Sequence, residues 1–243
     1  MPFRQAMTDQ SNIPGPGAPL PTGDAKATAV RSMFDTIAPR YDLVNRIMTF
    51  RLDVRWRKQT VRSLALPVDS KVLDLACGTG DLCRDLKSAG HHPIGMDLSW
   101  GMLTAARVNA PLVHTDALRI PAANGSIDGV TCGFALRNFT SLEPFLAEMV
   151  RVLRPGGRIA LLEVDRPLNP ILRVGHSLYF GQVVPIVGGL LSNRNAYRYL
   201  PRSVAYLPPE EELLATIGAA GFTDVMKDRC SGGIAQLLTA TRI

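Results

Sequence analysis

From Ala27 onward apolar residues recur at helical spacing, with Met33 or Phe34, Ile37, Tyr41, Val44 and Met48 on one face. The pattern predicts a helix that Pro39 kinks or restarts. A second helix is expected over Val54–Leu64, capped by Asp53 and anchored by Trp56. Beyond it the period changes. Val72, Leu73 and Leu75 form the short apolar run of a buried strand, and similar runs follow at 92–97, Leu112–Thr115, Ile127–Phe134 and Arg158–Val164. Helical stretches separate them at 80–89, 99–109 (opened by Ser99) and Leu142–Leu153. Strands alternating with helices of this length predict an α/β fold with a doubly wound, mostly parallel sheet. A last helix, 209–220, ends at Gly221, and final strands near 222–229 and 233–241 are placed to pair through Ser231-Gly-Gly.

Two segments break the pattern. Residues 1–26 carry Pro14, Pro16, Pro19 and Pro21 among glycines with little apolar content, and are expected to form a disordered arm. Residues 168–207 are too long for an ordinary connection. They are read as a mobile, substrate-side insert walling an apolar channel, with Gly and Pro limiting regular packing. The remainder, 27–243, reads as a single domain whose helices at 27–66 are placed to close over a ligand as a lid.

Composition adds limits. At 243 residues the chain can bury a sizeable core. Its four cysteines lack zinc-site spacing and read as reduced thiols of a cytoplasmic protein, and no metal is expected. The net charge of +6 admits anionic lipid or nucleic acid. Arg51, Arg55, Arg57, Lys58 and Arg62 are best read as a solvated helix face or a contact with anionic lipid. Nucleic acid is not an expected partner, because no Asn-Pro-Pro-Tyr-type segment, Pro-Cys pair or RNA-binding module is present.

The chemistry converges on Lys71–Asp81, KVLDLACGTGD. Asp74 lies near a strand end, and Gly78, Thr79 and Gly80 turn the chain into a helix, where backbone N–H groups can approach a ligand with no Cβ in the way. Asp97 ends the next strand and can accept both hydroxyl hydrogens of a ribose. A dinucleotide loop would want Gly at position 83, where Cys83 stands, and Asp81 replaces the Walker lysine. An acid before the loop without a pyrophosphate signal fits S-adenosylmethionine, whose ammonium a carboxylate can receive.

Longer motifs carry a resemblance. MFDTIAPRYDLVN (33–45) with Trp56-Arg57, DLACGTGDL (74–82), FALRNFT (134–140), RVLRPGGRIALLE (151–163) and YRYLPRSV (197–204) with Pro208 occur in order. From about Met33 onward the chain resembles the C-methyltransferases of menaquinone and ubiquinone biosynthesis, which methylate a polyprenylated quinol ring. The resemblance implies the class I methyltransferase fold, seven strands with the last antiparallel. It departs at Thr49 and Asp53, where Ser and His are usual, at Asp165 (Ser), and at Gly133, where a cofactor-contacting Ser is usual.

The implied cofactor contacts are Tyr41, Asp74, Gly78, Thr79, Gly80, Asp97, Asp116, Ala117 and Gly133. A lone Asp116 would merely cap a turn, but from its strand end it can bond the adenine amino group. Arg137 and Asn138 follow the fourth strand, where an acceptor is held, and a guanidinium there can stabilise phenolate charge. Its structural alternative is an ion pair with Glu143 or Glu163. Arg stays protonated, so proton removal passes to water or a carboxylate, with Asp165 the added candidate. Tyr41 and Asn45 share a helix face, and Tyr197 and Tyr199 line the ring or prenyl channel unless they only pack. His176, in the insert, is a further base candidate. Expected partners are the quinol, the inner face of a membrane and a second copy of the chain. Competing readings are a methyltransferase of another phenol or lipid, or a non-catalytic adenosyl-binding subunit, which damage to the loop or loss of Arg137 would favour; neither is seen.

Overall fold

The computed structural model describes residues 21–192, 196, 199 and 202–243. Seven strands form one sheet: β1 (Lys71–Leu75), β2 (His92–Asp97), β3 (Leu112–His114), β4 (Ile127–Gly133), β5 (Leu153–Val164), β6 (Phe222–Cys230) and β7 (Ala235–Arg242). Their order is β3-β2-β1-β4-β5-β7-β6, with β7 antiparallel to β5 and β6 and all other pairs parallel. The expected class I methyltransferase sheet is therefore present. The order reverses between β1 and β4, and ligands of open α/β sheets bind beyond the strand ends at such a switch point.

Alternation along the strands divides the core. Leu73, Leu75, Val130, Cys132, Ile159 and Leu161 face one way, against Phe145, Leu146 and Met149 of α6 (Leu142–Val152). Val72, Leu162 and Leu237 face the other way, against Trp56 and Leu64 at α3 (Leu52–Ser63) and Leu86 of α4 (Asp81–Ser88). β1 thus presents Asp74 on the α4 side, in register with Gly95 of β2 and Thr131 of β4. A third cluster lies over the strand ends. Met33 and Ile37 of α1 (Gly23–Ile37) and Val44 and Met48 of α2 (Tyr41–Met48) pack with Met102 of α5 (Trp100–Ala105) and with Val184, Ala196 and Tyr199. The lid and the insert therefore share a core of their own.

Several boundaries differ from the sequence expectation. The arm ends earlier, because Gly23–Lys26 already belong to α1; residues 1–20 lie outside the described residues. Lys26 is buried, donates from Nζ to the Phe139 carbonyl at 2.6 Å and stands 3.7 Å over the Tyr206 ring. Pro39 restarts the helix as expected, within a 3-10 turn at Ala38–Arg40. Asp53 is not the cap of α3, which begins after Arg51 in a left-handed conformation. The strand expected over Arg158–Val164 begins earlier, at Leu153, and runs through Arg154-Pro-Gly-Gly with a bulge opposite β4, where Ile127 pairs Leu153 and Gly129 pairs Arg158.

The insert is the largest correction. Its described part is helical: α7 (Pro170–Leu178), a π-helical turn at Tyr179–Val183, and α8 (Val184–Leu191). Asn169 caps α7, accepting from Ile171 N and Leu172 N, and Pro170 takes the first turn, where no N–H is needed. Pro185 likewise falls in the first turn of α8. The last helix, α9 (Glu210–Ala219), leads into β6. Replacing Lys26 by Ala should cost about 1.5–3 kcal/mol, the range for a lost charged hydrogen bond. Thermal unfolding would measure it, and hydrogen exchange should rise in α1 but not in β1 or β4.

Candidate active site

Asp74 is fully buried and accepts from Thr131 Oγ1 at 2.8 Å and from Cys83 Sγ at 3.4 Å. Burial first, with the Asp97 carboxylate adding to it, raises its pKa to about 7 against the pull of those hydrogen bonds and of Arg57. After β1 the backbone turns through three left-handed residues: Ala76 at φ 53°, Gly78 at φ 56° and Gly80 at φ 82°. A Cβ on Gly80 would lie 2.6 Å from Val108 Cγ1, whereas one on Gly78 would meet no protein atom within 4 Å. Gly78 is therefore glycine for its conformation and leaves its outer side to a ligand. Its N–H donates to Asp97 Oδ2 at 2.7 Å, and Ser99 N donates to Asp97 Oδ1 at 2.7 Å.

Two cavities meet at this loop. The smaller, about 140 Å³, is walled by Asp97, Ser99, Asp116, Ala117, Asn138 and Phe139. Asp97 has its pKa raised, chiefly by burial. Asp116 caps the turn after β3, accepting from Leu118 N at 2.9 Å, and still lines the cavity, so both readings of it apply. Asn138 Oδ1 is buried there with no hydrogen-bond partner among the described residues. The larger cavity, about 430 Å³, holds Asn45, Asp74, Arg137 and His176 within mostly apolar walls that include Met48, Phe50, Leu172 and Phe180. Tyr41, Ala76, Gly78, Gly133 and Phe134 line both cavities. Burial raises the pKa of Tyr41.

Arg137 is buried and ion-paired to Glu163, the partner that the structural reading names. Nη1 also donates to the Phe134 carbonyl at 2.7 Å, and Nε to Ser203 Oγ at 3.0 Å. Among the described residues Nη2 has no hydrogen-bond partner. Phe134 itself sits at φ 58°, a conformation that costs a non-glycine residue energy and marks functional sites. Arg137 and Asn138, adjacent in sequence, line different cavities.

Other expected residues are placed elsewhere. Asp165 lines neither cavity; its Oδ2 is paired with Lys227 at 2.9 Å. Tyr199 is a core residue of the lid cluster and lines neither cavity, and Tyr197 lies outside the described residues. Thr79 Oγ1 donates to Asp42 at 2.5 Å, which ties the glycine loop to α2. Arg57, read as solvated, is buried against the larger cavity, with carboxylates of Asp53, Asp81 (3.1 Å) and Asp85 (3.2 Å) around it. The i, i+4 spacing of Asp53 and Arg57 was the available signal. Asp53 also accepts from Thr49 Oγ1 at 2.6 Å, so two departures from the resembled family are partners of each other.

A family model described as the ubiE/COQ5 methyltransferase family matches residues 22–242. The chain is 41% identical over 220 residues to a demethylmenaquinone methyltransferase of Thermus thermophilus, covering 86% of this chain and all of that one. It is 39% identical over 221 residues to a ubiquinone/menaquinone biosynthesis C-methyltransferase UbiE of Syntrophotalea carbinolica, covering 87% of this chain and 93% of that one. Among solved structures, a SAM-dependent methyltransferase of Thermotoga maritima, titled a possible histamine N-methyltransferase, superposes with a TM-score of 0.63 at 19% identity. It covers 88% of this chain and 99% of that one, and shows the fold alone.

The raised pKa of Asp74 has a stability consequence. Its folded pKa lies above its unfolded value, so between about pH 4 and pH 7 the native state holds a proton that the unfolded chain has lost. Stability from this group therefore falls as pH rises through that window. Asp74→Asn can still accept from Thr131, and should gain melting temperature relative to wild type between pH 5 and pH 8. A constant difference across that range would mean that the carboxyl is not held protonated.

Proposed function

The chain belongs to the ubiE/COQ5 methyltransferase family, and from that premise we propose how its two cavities divide the work of methylating a quinol. It is an S-adenosylmethionine-dependent C-methyltransferase of quinone biosynthesis, as the sequence led us to expect. When bound, S-adenosylmethionine supplies an electrophilic methyl group. The residues present fit such a ligand, since the open side of Gly78 and the unpartnered Asn138 Oδ1 both face the cavities. In our reading Asp97, Asp116, Ala117 and Asn138 hold the nucleoside. Asp74, Gly78 and Thr79 receive the charged amino-acid end, with Gly80 shaping the loop, and Tyr41 and Gly133 border the passage between the cavities.

The acceptor ring belongs in the larger cavity, and the observation that carries this is Arg137. It enters an apolar space with its guanidinium anchored on three sides and Nη2 left to donate. Ring carbon attack needs electron density from a phenolate-like oxygen, and a fixed donor in a dry site stabilises that charge. Asn45 lines the same space. One net proton must leave the ring. Asp165 is engaged elsewhere, so we assign proton acceptance to His176, whose ring packs against Phe180 and whose Nε2 has no partner among the described residues. Burial, then the charge of Arg166, lowers its pKa and keeps the imidazole neutral. In this reading the substrate's prenyl tail would bring the protein to a membrane surface.

Arg137→Gln would strand the buried Glu163 carboxylate and destabilise the fold, so it cannot separate the two roles of this arginine. Arg137→Lys keeps the charge and should keep melting temperature near wild type, while single-turnover methyl transfer falls about 10²–10³-fold for want of the planar donor. Full turnover from a stable Lys variant would end the catalytic assignment. For His176, the acid limb of the kcat profile should lie below pH 6.5 in wild type and vanish in His176→Gln. An unchanged profile would return proton removal to water.

A further inference from the structure

α7 has two working faces. Leu172, Gly175, His176 and, one turn on, Tyr179 line the larger cavity. Ile171, Val174 and Leu178 recur at i, i+3 and i+7 on the outward side and are 81%, 62% and 55% exposed. Leu168 and Leu190 are more exposed than buried, and so is Phe50 at 73%. Phe50 packs on Tyr179 with ring centroids 5.6 Å apart, and the Tyr179 hydroxyl donates to the Met48 carbonyl at 2.8 Å, so the corner after α2 joins the same surface. Ile171, Leu172 and Phe50 are at once exposed and cavity-lining, which opens the cavity within the apolar patch. A contiguous patch of this kind calls for a partner.

Charge identifies the partner. Every charged residue from Arg166 to Pro209 is an arginine (166, 173, 194, 198 and 202). Arg166 and Arg173 are exposed beside the patch. On its other flank Leu172 reaches the β6–β7 turn, where a Cβ on Gly232 would stand 3.2 Å from Leu172 Cδ1. The next residue of that turn, Ser231, accepts from Trp56 Nε1 at 2.9 Å and shares a surface recess with Arg55, Lys58 and Arg62 of α3. Apolar stripe and basic flanks thus form one continuous surface. A second copy of the chain would set these cations against each other across a two-fold interface, which costs binding energy. A surface of anionic headgroups over hydrocarbon matches both parts at once. No helix among the described residues is long and apolar enough to cross a membrane, so the contact is one of lying on the surface.

We propose that this face docks on an anionic lipid bilayer, with α7 along the interface and the mouth of the larger cavity open to the hydrocarbon. The proposal rests on the reading of the acceptor as a prenylated quinol, whose ring must enter the cavity while its tail stays in lipid.

The test is co-sedimentation of the full chain with vesicles of phosphatidylcholine alone or mixed with phosphatidylglycerol. It is joined to methyl transfer to a short-chain, water-soluble quinol and to a long-chain quinol held in the vesicles. Wild type should bind the mixed vesicles about tenfold or more tightly than the neutral ones, and Val174→Glu/Leu178→Glu should lose that binding. Neither position lines a cavity, so turnover of the short-chain quinol should persist while that of the vesicle-held quinol falls with binding. Wild type that ignores both vesicle types while methylating the short-chain quinol overturns the docking face and leaves the functional reading standing. A dimer that the double variant splits, without vesicle binding, assigns the face to a second copy and also overturns it. Binding to anionic vesicles without turnover of either quinol upholds the face and overturns the functional reading.

Discussion

The guanidinium of Arg57 stands between the N-terminal helices and the helix that the glycine loop opens. It projects from α3, part of the lid, and meets Asp53 on its own helix and Asp81 and Asp85 on α4, the helix that the glycine loop opens. Burying one cation among three carboxylates raises its pKa, because the charges outweigh the desolvation that opposes them. Arg57, Asp53 and Asp81 also bound the larger cavity on this side. Remove the cation and Asp53 and Asp85 lose their partner, while Asp81 keeps Arg84 and Arg46; largely buried carboxylates left without a cation carry a penalty. Lid position, loop position and cavity wall are therefore one electrostatic decision.

A second tie uses hydroxyl donors in place of a cation. Thr79 in the loop donates to Asp42 of α2, while Ser99, capping α5, donates to Asp35 of α1 at 2.6 Å. α1 and α2 are thus fastened to the two loops that follow β1 and β2, the loops that line the cavities. Any shift of these helices would break hydrogen bonds at those loops.

What the sequence disclosed follows from which physical signals are local. Strand runs and the Gly78–Gly80 turn depend on neighbours in the chain, and they reappear in β1, β2, β4 and the final hairpin within a residue or two. Asp97 and Asp116 could be placed beside a cavity because strand ends of a doubly wound sheet all point to one edge. The misreadings share a different cause. Arg57 sits among surface cations, and only the fold reveals that α4 brings Asp81 and Asp85 to it. Asp165 ends β5 just as Asp74 lies near the end of β1, yet Lys227 on β6 draws it away from the cavities. In the insert, Gly and Pro suggested irregular chain. Prolines in the first turn of a helix remove no hydrogen bond, and the π turn between α7 and α8 takes up the irregularity within a helical run.

The distribution of charge completes the account of specificity. Carboxylates dominate the interior of the site: Asp74, Asp97 and Asp116 at the strand ends and Asp42 at the loop. Cations dominate the outside, where they leave the chain at +6. An acid-lined interior favours a cationic methyl donor, and a carboxyl with a pKa near 7 is spared full ionisation until such a cation arrives. A basic exterior around an apolar mouth favours a neutral substrate delivered from an anionic surface. On the reading proposed above, the two ligands would meet at one point from environments of opposite electrical character. Arg137, paired with Glu163 and with no partner for Nη2 among the described residues, lines the larger cavity.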